Sequence, residues 1–495
     1  MLKDFKNIFK HTAIYTVGNM ATKLLGILLI PLYTSVIVTE IFGIYSILEV
    51  TMQFLLGIFH LGIPDSMFRW FNLEEKKNKS GVILFSGFML VFVMTSLLLV
   101  VLLLFGNFLS TLFFDTVEYS GCFYLIGIIV LMNLLNLIGL TLLRVNNKSF
   151  LFILVSISKL IFQLSTTIYF VAYLKMSVFG IFLGQIIGEG VILIIIFPYI
   201  LKNFVYKIDI KETKTMIKFG FPLVFSGVSN RILNMGDRYV LAYLTDLGTV
   251  GIYSLGYKFA NLIDTIFINA LRSAFLPQAW KKLREGNAKD YYSKLLTYYV
   301  FIIFWIALGI SVFAKEIIML FARNESYWSA SIIVPMAAFA IGIKGIFVIV
   351  KMGMQFKFKT KYIAYIVMGS AFLNILLNFI FIPYLGMVGA ALATVFSFVI
   401  MVIVSVKISN KFYPIQFEWK RIIKLIFVIF SLLYLNTFLT IDRLWINILV
   451  KILLLMTYPL ILFIIRFFTQ NEIFRLKGSW KKWKNPKNWK VIIGK

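Results

Sequence analysis

The stretch VILFSGFMLVFVMTSLLLVVLLLF (82–105) contains no charged side chain. A helix of about 20 apolar residues is long enough to cross the hydrocarbon core of a bilayer. The whole chain shares this bias, because 60% of its 495 residues are hydrophobic and only 14% are charged. A soluble domain carries roughly a quarter of charged residues. Lipid must therefore surround most of the chain, and the predicted fold class is all-α integral membrane.

Comparable apolar runs recur along the chain and predict about fourteen transmembrane helices. We place them near residues 12–34, 41–63, 82–105, 121–142, 150–173, 177–200, 219–244, 250–276, 294–314, 327–350, 362–382, 386–406, 422–440 and 444–466.

The 49 Lys and Arg residues predict the side of the membrane on which each loop lies. Cytoplasmic loops carry an excess of these residues. With the N-terminus inside, thirty-eight of them fall in cytoplasmic segments, and four fall in outer loops: Lys175, Lys315, Arg323 and Arg443. Both termini should therefore be cytoplasmic. The net charge of +28 then reflects topology, so we expect no nucleic-acid partner.

The chain contains an internal repeat. The sequence FGIYSI (42–47) recurs as VGIYSL (250–255), and YLKM (173–176) recurs as YLGM (384–387). Small residues spaced by four also recur, since Gly180, Gly184 and Gly188 correspond to Gly389, Ala393 and Ser397. Small residues at this spacing allow two helix backbones to approach closely.

The repeat predicts how the chain is divided. We expect an N-terminal six-helix bundle (1–212), a C-terminal six-helix bundle (213–412), two additional transmembrane helices (413–470) and a basic Trp/Lys cytoplasmic tail (471–495). Six spans in each copy give both bundles the same orientation, so a pseudo-two-fold axis along the membrane normal should relate them. Two bundles that face each other across a cavity are suited to alternating access.

Charged residues inside the predicted spans are the candidates for function, because a Lys or Arg at the bilayer centre costs about 3 kcal/mol. Too few acids lie in the spans to pair every cation. A water-filled cavity between the bundles, holding an anionic cargo, would tolerate the surplus. The cations that we assign to this cavity are Lys23, Lys159, Arg231, Arg238, Lys258 and Lys344. For Asp237 and Arg238, a simple pairing with neighbouring residues is the alternative.

Several activities are excluded by what the sequence lacks. His11 and His60 are the only histidines, and Cys122 is the only cysteine, so neither a histidine-based catalytic site nor an intrachain disulfide is expected. No GxxxxGK[ST] run is present, so nucleotide hydrolysis is not expected. We therefore expect a transporter and not an enzyme. Its energy should come from an ion or potential gradient, or from consumption of the cargo downstream.

Three stretches resemble one transporter family. They are GNMATKLLGILLIPLYTSVIVTEIFGIYSI (18–47), KFGFPLVFSGVSNRILNMGDRYVLAYLTDLGTVGIYSLGYKFA (218–260) and TKYIAYIVMGSAFLNILLNFIFIPYLGMVGAALATVFSF (360–398). The family is the polysaccharide-transporter branch of the multidrug/oligosaccharidyl-lipid/polysaccharide exporter superfamily. The chain is also similar to lipid II flippases, because it has two extra C-terminal spans.

This resemblance implies a function and a location. The family flips undecaprenyl-diphosphate-linked oligosaccharides, such as O-antigen or exopolysaccharide units, from the inner to the outer leaflet of the bacterial cytoplasmic membrane. The implied partners are this lipid-linked cargo, membrane lipids, and the polymerase and assembly proteins of the same pathway.

The resemblance also implies a coupling ion, Na+ or H+, and no other cofactor or metal. Some relatives bind Na+ in the second bundle, and the matching positions here are Asp237, Asn374, Asn378 and Thr394. Oxygen ligands suit a hard cation. The alternative is that the two asparagines only form hydrogen bonds between helices.

Three rival functions are weighed against this one. A lipid II flippase would carry a similar diphosphate. A multidrug exporter of the same superfamily usually takes organic cations, for which an acidic cavity is expected. A membrane-bound glycosyltransferase would need catalytic carboxylates or a large soluble loop.

Overall fold

The computed structural model describes residues 26–71, 79–284, 288–439 and 443–474. Within these ranges every regular element is helical, and nine helices are long and apolar enough to cross a membrane. The prediction of an all-α, multi-pass membrane protein is confirmed. Helices occupy the predicted spans from the second to the last, whereas most of the first span, with Lys23, and the tail from Arg475 onward lie outside the described ranges. The number fourteen and the side of each terminus stay predictions.

The helices are numbered in chain order, apart from short π and 3-10 turns. They are α1 (Ile30–Val36), α2 (Thr39–Phe59), α3 (Ile63–Phe71), α4 (Ser80–Phe114), α5 (Ser120–Val145), α6 (Ser149–Ile168), α7 (Ser177–Lys202), α8 (Ile210–Met235), α9 (Asp237–Leu244), α10 (Leu247–Leu262), α11 (Asn269–Arg284), α12 (Ala288–Val312), α13 (Ala314–Phe321), α14 (Ile333–Val350), α15 (Met352–Phe356), α16 (Thr360–Phe412), α17 (Trp419–Thr437) and α18 (Leu444–Ile464).

Helix α16 contains a break that separates two predicted spans. Gly386 adopts φ 54° and ψ −133°, a conformation that glycine reaches without steric cost. Pro383, just before it, cannot donate a backbone hydrogen bond. Asn374 and Thr394, on opposite sides of the break, are hydrogen-bonded, so the two halves of α16 form a helical hairpin.

The internal repeat is visible as a symmetric contact between α2 and α10. A Cβ on Gly43 would lie 1.8 Å from the Leu247 carbonyl oxygen, and a Cβ on Gly251 would lie 2.2 Å from the Thr39 carbonyl oxygen. Residues 39 and 43 correspond to 247 and 251 in the repeat, so each contact is the copy of the other. A two-fold relation produces this reciprocity. Ser46 and Ser254, also equivalent, are hydrogen-bonded at 2.5 Å.

The recurring small residues lie where helices approach each other. Gly180 on α7 faces Phe170, and its equivalent Gly389 faces Phe381, which is itself the equivalent of Phe170. Further along α7, a Cβ on Gly184 would lie 2.1 Å from Thr167 Oγ1. Side chains larger than those present would force these helices apart, which confirms the role predicted for this stripe.

The described chain divides into two compact units, within Met1–Lys281 plus Ala314–Pro414 and within Lys282–Phe313 plus Ile415–Lys495. In the second unit, α12 packs against α17 and α18. Trp305 donates a hydrogen bond to the Leu455 carbonyl at 3.1 Å, and the rings of Phe301 and Tyr458 stack. The first unit holds the repeat contact of α2 and α10. The four-part division predicted from sequence stays a prediction.

The close approach of α2 and α10 generates a test of the fold. We expect Gly43→Ala and Gly251→Ala each to lower the free energy of unfolding by roughly 1–3 kcal/mol, the usual effect of overpacking. The measurement is the thermal unfolding midpoint of the purified chain in detergent. Gly369→Ala is the matched control, because a Cβ there meets nothing within 4 Å. Equal unfolding midpoints for Gly43→Ala, Gly251→Ala and Gly369→Ala would contradict the close approach of α2 and α10.

Candidate functional site

A cavity of about 620 Å³ lies within the first unit, between residues of both repeats. Its described walls carry four cations and two carboxylates. The cations are Arg231, Arg238, Lys258 and Lys344, and the carboxylates are Glu49 and Asp264. Four of the six cations predicted from sequence are therefore brought together around one cavity.

Arg238 lies at the start of α9, directly after the break at Gly236 that separates α9 from α8. Its Nη1 is 3.2 Å from Asp237 Oδ1, and its Nε donates to Ser254 Oγ at 3.2 Å. The guanidinium also lies 5.3 Å from the centre of the Tyr257 ring. Arg238 is thus both paired, as the sequence alternative proposed, and part of the cavity wall.

Lys258 on α10 connects the two repeats. Its Nζ is 3.3 Å from Glu49 Oε2 on α2 and 4.8 Å from the centre of the Tyr45 ring. Both charged side chains are partly exposed, at 17% for Lys258 and 28% for Glu49, and both line the cavity. The pair joins one repeat to the other next to the Ser46–Ser254 contact.

Lys344 and Arg231 complete the basic wall. Lys344 Nζ is 3.7 Å from Asp264 Oδ2. Arg231 has no carboxylate within salt-bridge distance among the described residues, and its Nη1 reaches only the Gly227 carbonyl, at 3.5 Å. A Cβ on Gly57 would lie 2.8 Å from Arg231 Nη1, so a glycine at position 57 gives the guanidinium room. Arg231 is consequently the cavity cation with the least compensation.

Lys159 does not line this cavity. Its Nζ lies 2.5 Å from Glu189 Oε1, and Glu189 is almost fully buried. Asn133 and Asn136 donate hydrogen bonds to the same carboxylate at 2.8 and 2.9 Å. The Glu189 carboxylate therefore has one cation and two amide donors inside the first repeat, which is the compensation that a structural ion pair needs in a low-dielectric interior. The sixth predicted cation, Lys23, lies outside the described residues.

The four positions predicted for a coupling ion are adjacent and buried. Asp237 accepts a hydrogen bond from Tyr253, and Thr394 Oγ1 lies 3.5 Å from Asp237 Oδ2. Asn374 donates to Thr394 Oγ1 at 3.3 Å, and Asn378 donates to Asn374 Oδ1 at 3.1 Å. Asn378 Oδ1 is buried and has no hydrogen-bond partner. An oxygen set with one unused acceptor fits a hard cation.

The carboxylate partners were not assigned to the cations from the sequence. Glu49 and Lys258 occupy nearly matching positions in the two repeats, 209 residues apart, so the repeat itself contained a signal for this pair. The glutamines of the cavity wall, Gln53, Gln163 and Gln185, were also missed, because uncharged residues in apolar helices give no pattern.

Two solved structures have the same fold. A lipid II flippase, MurJ, in an inward closed conformation matches with a TM-score of 0.70 at 19% identity, covering 94% of this chain and 99% of that chain. An inward-facing multidrug resistance MATE transporter of the MOP superfamily matches with a TM-score of 0.65 at 14% identity, covering 80% and 94%. The chain therefore shares the fold of these two structures.

Residues 8–281 match the family described as polysaccharide biosynthesis protein, and the chain belongs to that family. A probable low-salt glycan biosynthesis flippase of Haloferax volcanii, Agl15, is 24% identical over 219 residues, which are 44% of this chain and 46% of that protein. The chain spans about half the length of the curated relatives that it matches. The resemblance predicted from the sequence is confirmed.

The Lys159–Glu189 network generates a second test. Removing one partner of a buried ion pair leaves an uncompensated charge and costs roughly 3–5 kcal/mol. We expect Lys159→Met and Glu189→Gln to lower the unfolding midpoint more than the double variant does. If the decreases in unfolding midpoint of the two single variants add up in the double variant, so that the double variant is the least stable, Lys159 and Glu189 do not form a structural ion pair.

Proposed function

We propose that this chain is a flippase that moves an undecaprenyl-diphosphate-linked oligosaccharide from the cytoplasmic to the outer leaflet of the bacterial cytoplasmic membrane. The observation that carries the proposal is the excess of positive charge around one membrane-embedded cavity. The diphosphate is the charged part of such a cargo, and an ionised group cannot enter lipid without compensation. The family of polysaccharide biosynthesis proteins, and the relative named as a probable flippase, support the same class of cargo.

Exchange of ion-pair partners explains how the cavity can be stable both empty and loaded. In the structure, Glu49 and Asp264 compensate Lys258 and Lys344. A phosphate oxygen that binds either lysine displaces its carboxylate, and the displaced carboxylate, which is partly exposed in the cavity wall, is then compensated by solvation. Arg231 has no carboxylate to exchange within the described chain, and its planar guanidinium matches phosphate in a bidentate geometry. We therefore assign Arg231 the first contact with the diphosphate.

The remainder of the proposed cycle follows from the two repeats. The lipid tail stays in the bilayer while the diphosphate and glycan occupy the cavity. Rocking of the bundles then opens the cavity on the outer side, where the cargo leaves. Both termini would be cytoplasmic, and the polysaccharide polymerase and assembly proteins of the same pathway would receive the product.

We also propose that Na+ or H+ drives the cycle through Asp237, Asn374, Asn378 and Thr394. The residues fit such an ion because a carboxylate, a hydroxyl and two amides converge, and one amide oxygen is unused. Binding of a cation at Asp237 would compete with its pairing to Arg238, which also lines the cavity.

Transport of lipid II is a second candidate, because the MurJ fold matches 94% of this chain, whose last described helices are α17 and α18. These two helices could hold the lipid tail in either case. A multidrug exporter of organic cations is disfavoured, since the excess of positive charge on the cavity wall would repel a cationic cargo.

Reconstitution into liposomes tests the proposed cargo. With a labelled undecaprenyl-diphosphate glycan inside the vesicles, we expect translocation well above that of empty vesicles. Arg231→Ala and Lys258→Ala should each reduce the rate roughly tenfold or more, because a hydrogen bond to a charged group contributes about 1.5–3 kcal/mol. Lys315→Ala, at an exposed position, is the control and should transport normally. Translocation rates equal to those of empty vesicles, or rates that neither Arg231→Ala nor Lys258→Ala reduces, would contradict the proposal.

An imposed gradient on the same vesicles tests the coupling. If Na+ or H+ acts at the buried cluster, the gradient should accelerate wild-type translocation, and Asp237→Asn should remove the acceleration. Asp246→Asn is the matched control, because Asp246 caps the exposed start of α10 and asparagine can cap equally well. Acceleration that persists in Asp237→Asn would place the coupling elsewhere.

A further inference from the structure

The two repeats contribute chemically different walls to the cavity. All four described cations of the cavity, from Arg231 to Lys344, belong to the second repeat. The described residues of the first repeat contribute no cation, but they contribute three glutamines: Gln53, Gln163 and Gln185. This asymmetry is not required by the fold, because both walls come from copies of one ancestral sequence.

The cavity glutamines differ from the other amides buried in the first unit. Asn133 and Asn136 donate to Glu189, and Asn374 and Asn378 donate within the Asp237 cluster. None of the three cavity glutamines forms a side-chain hydrogen bond to another described residue. Gln163 Oε1 is among the buried oxygen atoms without a partner. Gln53, Gln163 and Gln185 are partly exposed and line the cavity, so their amides can pair with a molecule inside it. A buried oxygen such as Gln163 Oε1 normally has a partner. We therefore expect the partners of these amides to come from the cargo or from water that the cargo displaces.

Repeat equivalence strengthens this contrast. Gln163 and Gln185 correspond to Asn374 and Thr394 in the second repeat, at offsets of 211 and 209 residues. The second-repeat pair is hydrogen-bonded at 3.3 Å and buried away from the cavity. The first-repeat pair has longer side chains and lines the cavity. The same two helix positions thus hold an internal cluster in one repeat and face the cavity in the other.

The chemistry of an amide wall identifies the part of the cargo that it suits. Each glutamine offers one acceptor oxygen and two donor hydrogens but no charge. Sugar hydroxyls are both donors and acceptors, so an amide can pair with them in either direction. A diphosphate carries only acceptors and gains more from the cations opposite.

Resting on the proposed function, we infer that the two walls of the cavity, one from each repeat, bind different parts of the cargo. The second repeat holds the diphosphate, and Gln53, Gln163 and Gln185 of the first repeat bind the sugar hydroxyls and select the glycan. The second-repeat wall also carries three asparagines. Asn234 donates to Asn230 Oδ1 at 3.1 Å, and Asn261 has no side-chain partner in the described chain.

Equilibrium binding of two lipids to the full chain in nanodiscs tests the inference. The probes are undecaprenyl diphosphate without sugar and the same lipid carrying an oligosaccharide. The Gln163→Met/Gln185→Met variant removes both amides at nearly constant volume. We expect its Kd for the glycan lipid to rise roughly tenfold, since each hydrogen bond contributes about 0.5–1.5 kcal/mol. Its Kd for undecaprenyl diphosphate should stay within about twofold of the wild-type value. The control variant Gln355→Met should bind both lipids with Kd values within about twofold of those of the wild type.

The outcomes separate this inference from the proposed function. Arg231→Ala should weaken both lipids alike. If the wild type binds neither lipid, the proposed function fails, and the inference fails with it. If the wild type binds both lipids but the glutamine variant loses both equally, or loses neither, only the two-wall inference is overturned. The unfolding midpoint of each glutamine variant should match the wild type, because no side-chain hydrogen bond within the described chain is removed.

Discussion

A charge inside a bilayer must be compensated, and this constraint organises the first unit. An isolated Lys or Arg at the membrane centre costs about 3 kcal/mol or more. Four of the cations that the structure describes inside predicted spans meet a carboxylate at 2.5 to 3.7 Å: Lys159, Arg238, Lys258 and Lys344. The pairs differ in what surrounds them. Lys159 is enclosed with Glu189 and two asparagines, whereas the other three border a cavity and can exchange partners.

Duplication followed by divergence produced this arrangement. The packing at the repeat interface stays symmetric, with Gly43 against Leu247 and Gly251 against Thr39. Further along the same helices the symmetry is lost, because Glu49 of one repeat pairs with Lys258 of the other. The equivalent positions in the repeat are Tyr257 and Val50, so this charge pair has no copy. The asymmetry continues along the walls, because all the described cations come from the second repeat, whereas the described residues of the first contribute glutamines and no cation.

The sequence predicted the class, the helices and the repeat because each has a one-dimensional signal. Apolar runs such as 82–105 reveal spans, and the recurrence of FGIYSI near 250 reveals the duplication. Arg231, Arg238, Lys258 and Lys344 were found because a cation in an apolar run is conspicuous. The sequence could not show that Lys159 pairs with Glu189 instead of lining the cavity, because a lysine within an apolar helix gives the same sequence pattern in both cases. The glutamine wall needed three-dimensional information, because its members come from α2, α6 and α7.

In the proposed mechanism, the cations of the second repeat hold the phosphates of the cargo in the cavity. A cryo-electron microscopy structure of the chain in nanodiscs with an undecaprenyl-diphosphate glycan would show where the phosphates bind. We predict phosphate density within hydrogen-bond distance of Arg231 and Lys258, with the Glu49 carboxylate displaced from Lys258. Phosphate density elsewhere on the protein, with the Glu49–Lys258 pair intact beside an empty cavity, would contradict it.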